Sequence, residues 1–180
     1  MIVESTLSAS AKVLKADSVP AWKRAARNFF ATSPDSSGTV LRLALAATMF
    51  PHGAQKALGW FGGYGFDATV GYFVGGGMPA LLAILIIAAE FLGPIALVAG
   101  FFTRWSAFGI GLVMLGAVAM VHAQHGFFMN WMGNKKGEGV EYFIPVLAIA
   151  AVLMMKGGGR WAADSLLADR IASRREGRAG

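Results

Sequence analysis

Between Asp67 and Arg104 the sequence carries one charged side chain, Glu90, and between Arg104 and Lys135 it carries none. A helix needs roughly 20 consecutive apolar residues to cross a hydrocarbon core, and both stretches exceed that length. Soluble domains hold about 25% charged and 45–50% apolar residues. Here the figures are 14% and 56% over 180 residues. The core of so short a chain cannot hide that surplus, and lipid is the economical place for it. Four spans are predicted, at about 39–60, 79–102, 105–123 and 140–156. The expected fold is all-α: an integral membrane four-helix bundle, up-down-up-down, with an N-terminal amphipathic surface helix. Arg42, Lys56 and Lys156 are expected to snorkel their charged heads toward the lipid headgroups.

The basic residues orient this weave. Lys12, Lys15, Lys23, Arg24 and Arg27 precede the first span, and Arg104 sits between the second and third. Lys156, Arg160, Arg170, Arg174, Arg175 and Arg178 follow the fourth. All fall on one side, leaving Lys135, Lys136 and the borderline Lys56 for the other. The positive-inside rule then places both termini in the cytoplasm and the chain in the cell inner membrane. The net charge of +6 is a topology signal with attraction to anionic lipid, so the bilayer is the expected partner and nucleic acid is not.

Three segments are expected. Residues 1–38 form a basic N-terminal extension without an uninterrupted apolar run, so no signal peptide is expected there. Ser18-Val19-Pro20 marks a helix start. Trp22, Ala25, Ala26 and Phe29 then share one face, as in a helix lying in the membrane surface. Residues 39–156 hold the four spans, and 157–180 form a basic tail whose stretch from Trp161 to Arg175 suits a second surface helix. The Gly- and aromatic-rich run from Gly59 to Met78 lacks the Lys-Ser/Thr of a phosphate cradle. It fits a re-entrant or surface-lying connector.

No cysteine is present. That removes disulfide relays, thiolate zinc sites and iron–sulfur clusters, and with them the small four-helix proteins that pass electrons from disulfides to quinone. Chemistry must come from the few polar residues inside the spans. At about 1.5 Å per residue, Glu90 and Glu141 each lie roughly 20 Å from the basic side, and Lys56 reaches a similar level. His52 is one turn from Lys56 on the same face, and His122 lies nearer the outer surface. A glutamate in hydrocarbon needs a partner or a proton. Glu90 therefore pairs with Lys56, His52 or His122, either as a structural clamp or as a group exchanging protons with a quinone oxygen, a role open to His122 as well.

Two further patterns stand out. Glu90-Phe91-Leu92-Gly93-Pro94 and Glu141-Tyr142-Phe143-Ile144-Pro145 share Glu-aromatic-x-x-Pro. Each proline removes the helical partner of the glutamate's own carbonyl, which predicts two matched kinks. His122-x-x-His125 with His52 could hold a metal through imidazole nitrogens, or a b-type haem between facing helices; equally, these are interfacial polar residues. The run from Gly126 to Asn134 suits a lid over the outer pocket, the wall of a groove for an isoprenoid tail, or a plain interfacial loop.

Over about residues 39–168 the chain resembles the DoxX family of small four-helix membrane proteins. The resemblance rests on Arg42 with His52-Gly53-Ala54-Gln55-Lys56, on Glu90-Phe91-Leu92-Gly93 and Gly100-Phe101-Phe102-Thr103-Arg104, and on His122 with Gly126-Phe127-Phe128. Glu141-Tyr142 and the closing run from Gly157 to Asp164 complete it, with Ala162 where the family usually has serine. The resemblance implies membrane redox work, in which some members serve thiosulfate:quinone oxidoreductases and others accompany oxidative-stress proteins. The expected function is thus a subunit of a quinone-linked oxidoreductase system. Glu90 and His122 are its candidate catalytic groups, and His52, Lys56, Glu141 and Tyr142 its candidate cofactor contacts. The alternative is a non-catalytic accessory subunit packed against a larger membrane redox complex or a second copy of itself; a transporter is a third reading.

Overall fold

The computed structural model describes residues 20–173. Lys12, Lys15, Ser18, Val19, Arg174, Arg175 and Arg178 lie outside them. Among the described residues there are no strands and seven α-helices: α1 Ala21–Phe30, α2 Ser37–Leu58, α3 Gly65–Gly75, α4 Ala80–Ala99, α5 Thr103–Ala117, α6 Phe143–Lys156 and α7 Ala163–Ser173. A π-turn, Val118–His122, and a 3-10 turn, Ala123–His125, prolong α5.

The chain divides into two compact units, Thr32–Asp164 and the terminal segments that flank it. In the terminal unit α1 starts directly after Pro20, whose fixed φ of −50° suits a helix entrance. None of its residues is buried.

Within Thr32–Asp164, α2 packs on α4, α4 on α5, α5 on α6 and α6 back on α2. Leu45, Met49, Leu97, Ile110, Met114, Val146 and Leu153 fill the space between them. The same helices are apolar on the outside too: Leu81, Leu85, Leu92 and Val98 on α4 and Leu112 and Leu115 on α5 are exposed. Only 33% of the apolar window of α4, and 17% of that in the 23-residue rod Thr103–His125, is buried within the protein. Helices apolar all round, with so much of that surface unburied, call for lipid. The chain is a membrane protein.

By length and composition α4 and the rod Thr103–His125 can each cross a bilayer. The other two expected spans differ from the reading of the sequence. The fourth starts at Phe143, not at Val140, and its 14 residues reach about 21 Å. The first, α2, has 22 residues, but Arg42 does not snorkel. Only 4% of it is exposed, because it faces backbone carbonyls of its own chain. The glycine-rich connector is itself largely helical, as α3.

Two glycines set the distances between helices. Gly100 ends α4 at φ +66°, with its amide bonded to the Leu97 carbonyl and that of Phe101 to the Ala96 carbonyl, a Schellman motif. A Cβ there would lie 2.6 Å from Ala162 Cα. Gly53 on α2 lies against α4 so closely that a Cβ would be 2.1 Å from the Glu90 carbonyl oxygen. This is the carbonyl that Pro94, inside α4, deprives of its amide donor.

Candidate functional site

Polar residues gather at the two ends of the α2–α4–α5–α6 unit, and they differ in kind. At the end where α4 meets α5, charge is committed to backbone. The Arg42 guanidinium donates to the carbonyls of Leu97 (2.7 Å) and Val98 in the last turn of α4, and to those of Gly158 (3.0 Å) and Trp161 (3.4 Å). Arg104 donates to the Met154 and Met155 carbonyls at 2.9 and 3.2 Å, in the last turn of α6. Buried Asp164 accepts the amides of Phe102 and Thr103 at 2.7 and 2.9 Å, where α5 begins. Cations thus sit at helix C-termini and an anion at a helix N-terminus, each matching the helix dipole and satisfying orphan backbone groups. The arrangement is structural, and it accounts for much of the family-like pattern of Arg42, Gly100, Thr103-Arg104, Gly158 and Asp164.

The opposite end holds a cavity of about 430 Å³. His52 and Lys56 reach it from α2, Glu90 from α4, His122 from the π-turn, and Tyr142 from the turn before α6. Met49, Met114, Ala117 and Phe143 supply apolar wall. Lys56 Nζ forms an ion pair with Glu90 Oε2; the two side chains are 26% and 5% exposed. Counting residues from the basic side put these two at one depth, and they meet there. The Tyr142 hydroxyl is buried without a hydrogen-bond partner among the described residues.

His122 is set with more precision. Its Nδ1 lies 2.8 Å from the Glu138 carbonyl oxygen. A carbonyl only accepts, so Nδ1 carries the hydrogen, and in the neutral ring Nε2 is left as a bare acceptor. The ring also packs on Phe143, centroids 4.6 Å apart. The π-turn that carries it is a local widening of the helix of the kind found at functional sites.

Glu141 does not line the cavity. Its Oε2 accepts the Met129 amide at 3.1 Å, while its own amide donates to the Phe127 carbonyl at 2.8 Å. The reason is one of register. Helix α6 begins after Glu141, so Pro145 falls in the first turn, where no intrahelical amide bond is lost. The predicted second kink is absent, and Glu141 pins a loop instead. That loop folds over itself. Glu138 Oε2 accepts the Asn130 amide at 2.6 Å, and a Cβ at Gly139 would meet the Phe128 carbonyl at 2.5 Å. It brings Met129 and Glu138 to the cavity. Sequence reasoning missed both; the available signal was Gly137-Glu138-Gly139, a carboxylate between two residues small enough for tight backbone packing. His125 does not line the cavity and lies against Gly137. Among the described residues no three His, Asp or Glu side chains come together as a metal site.

A helical membrane protein with one polar, His- and carboxylate-bearing cavity is the class these features define. Residues 38–123 match the DoxX family model, so this part of the chain is similar to a family whose membrane proteins are associated with oxidoreductase-linked functions. The match takes in Arg42, His52, Lys56, Glu90, Thr103 and His122, and it ends before Met129, Glu138 and Tyr142. No curated protein and no solved structure matches the chain.

Proposed function

We propose that this protein is the membrane subunit of a quinone-linked oxidoreductase system, and that the cavity takes a quinone head group. The observation that carries the reading is the joint presence in one cavity of the Lys56–Glu90 pair, His122 with its Nε2 uncommitted, and the unpartnered Tyr142 hydroxyl. A quinone brings oxygens that accept hydrogen bonds, take up protons as the ring is reduced, and give them back as the quinol is oxidised. Lys56 and Tyr142 can donate to such an oxygen, while Nε2 of His122 and the Glu90 carboxylate can receive a proton from it. Met49, Met114 and Phe143 offer apolar faces to the ring. His52, a turn from Lys56, would orient the head group. A haem or metal held by His52 with His122 is the less supported reading, since His125 faces elsewhere.

The topology belongs to the same proposal. With α2, α4, α5 and α6 as four spans of an up-down bundle, Arg104, Lys156 and Arg160 share one side, which the positive-inside rule makes cytoplasmic. The cavity then opens toward the outer half of the inner membrane, and both termini are cytoplasmic. The exposure of Tyr64, Tyr72, Trp131 and Met132, each 80% or more, favours a second reading, in which the outer connectors dock on a larger redox complex and the subunit catalyses nothing.

Purification in mild detergent, followed by extraction and quantitation of quinone, separates the two. Wild-type protein is expected to carry quinone, and Glu90→Gln and His122→Ala to lose it while remaining folded. A folded preparation free of quinone, arriving in fixed ratio with larger partner chains, establishes the accessory reading instead.

A further inference from the structure

We propose that the same cavity is also a binding site for a soft monovalent metal ion, Cu(I), with the thioethers of Met49, Met114 and Met129 and the imidazole of His122 as its donors. This goes beyond the quinone reading and does not depend on it. The three methionines come from α2, α5 and the 126–142 loop, and all line this one cavity with His52 and His122. Thioethers are poor ligands for hard and borderline ions and good ones for Cu(I). Plain hydrophobic filling does not require them: α4, 20 residues of mostly Ala, Leu and Ile, contains no Met.

Charge sets the valence. The cavity's carboxylates are engaged, Glu90 by Lys56 and Glu138 by the Asn130 amide. Lys56 and Glu90 cancel, which leaves the Glu138 carboxylate as the one uncompensated anion among the cavity's lining residues, and a single negative charge beside neutral sulfur and nitrogen donors suits a single positive charge. The supports expected around metal ligands are present. A ligating histidine commonly gives its other ring hydrogen to a carbonyl, as Nδ1 of His122 does to Glu138. The Met129 backbone is fixed by Glu141, and Met49 and Met114 are held in the packed core.

The test is titration of the full-length, detergent-purified protein with Cu(I), under anaerobic reducing conditions, against a chromophoric Cu(I) chelator, with Ag(I) as a redox-inert second probe. One ion per chain is expected. Met114→Leu, Met129→Leu and His122→Ala should each weaken binding about tenfold or more, whereas Met155→Leu, exposed on α6, should leave it unchanged. Leucine conserves volume, and Met129 lies outside the helices, so helical circular dichroism should match wild type in the Met129 variant even if Met114→Leu disturbs packing. X-ray absorption should show sulfur together with nitrogen around the metal. Methionine variants that bind like wild type, nitrogen or oxygen donors alone, or Zn(II) held as tightly as Cu(I) would each overturn the proposal. Quinone measured in the same samples keeps the two readings apart, since Met129→Leu is expected to lose Cu(I) affinity while retaining quinone.

Discussion

Arg42 and Glu90 are both charged groups that the fold withdraws from solvent, and their surroundings treat them in opposite ways. Around Arg42 each nearby bond is to a backbone carbonyl at a helix end or in the loop that closes it. Around Glu90 the partner is another side chain, Lys56, and beyond the pair lies open space shared with His52, His122 and Tyr142. A guanidinium satisfied by four carbonyls is fixed in one arrangement and has nothing left to offer a ligand. A lone ion pair beside a cavity can exchange its partner for one. The residues of the DoxX pattern divide along this line, into a set that ties helix ends together and a set that faces the cavity.

Replacing Arg42 tests the structural end most severely. Arg42→Leu strips the donor from the carbonyls of Val98 and Gly158 and leaves that of Leu97 with the Gly100 amide alone, and should cost about 3–5 kcal/mol. The expected result is loss of the monodisperse peak in size-exclusion chromatography. A variant that stays folded and fails only to bind ligand would erase the distinction between the two ends.

A pH series on Asp35 sharpens the same side of the comparison. Hydrogen bonds from the Ser33 and Ser37 hydroxyls, helped by the Ser37 amide at 2.9 Å, hold the Asp35 carboxyl well below the usual carboxylate range. A depressed folded value means the stabilisation is complete above the unfolded value of about 3.9 and fades as pH falls through the lower folded one. The melting temperature of Asp35→Asn should therefore lie below wild type at pH 7, with the gap narrowing below about pH 4. A gap independent of pH would mean that the carboxylate charge is not what matters there.

The smallest effect is expected at Thr103. Its hydroxyl is buried without a partner among the described residues, so Thr103→Val should leave thermal stability within about 0.5 kcal/mol of wild type, or raise it. A loss of 2 kcal/mol or more would mean that this hydroxyl is bonded after all.

The same contrast explains what the sequence disclosed. Spacing along a helix is a ruler, so counting from Arg42 and from Thr103 was enough to bring Lys56 and Glu90 to one depth, where they pair. Charge gaps likewise marked α4 and α5 in full. Glu141 was misjudged because its Glu-aromatic-x-x-Pro run reads like that of Glu90, while its role depends on where α6 begins. That boundary is set by the loop 126–142 folding against itself. Arg42 was expected at the headgroups for a related reason: its carbonyl acceptors on α4 and in the 157–161 segment are 55 or more residues away, beyond what any local pattern encodes. Asp164 was visible only as part of the closing motif, and its work at the start of α5 belongs to tertiary structure.

The central claim is that the cavity end, unlike the Arg42 end, exists to hold a redox-active small molecule. The quinone content of Glu90→Gln protein, compared with wild type in the same detergent and with both melting temperatures recorded, tests it most directly. The account predicts near-stoichiometric quinone in wild type, at least a tenfold fall in the variant, and melting temperatures that agree within a few degrees. Equal quinone in both proteins, or a folded wild type with none, would contradict it.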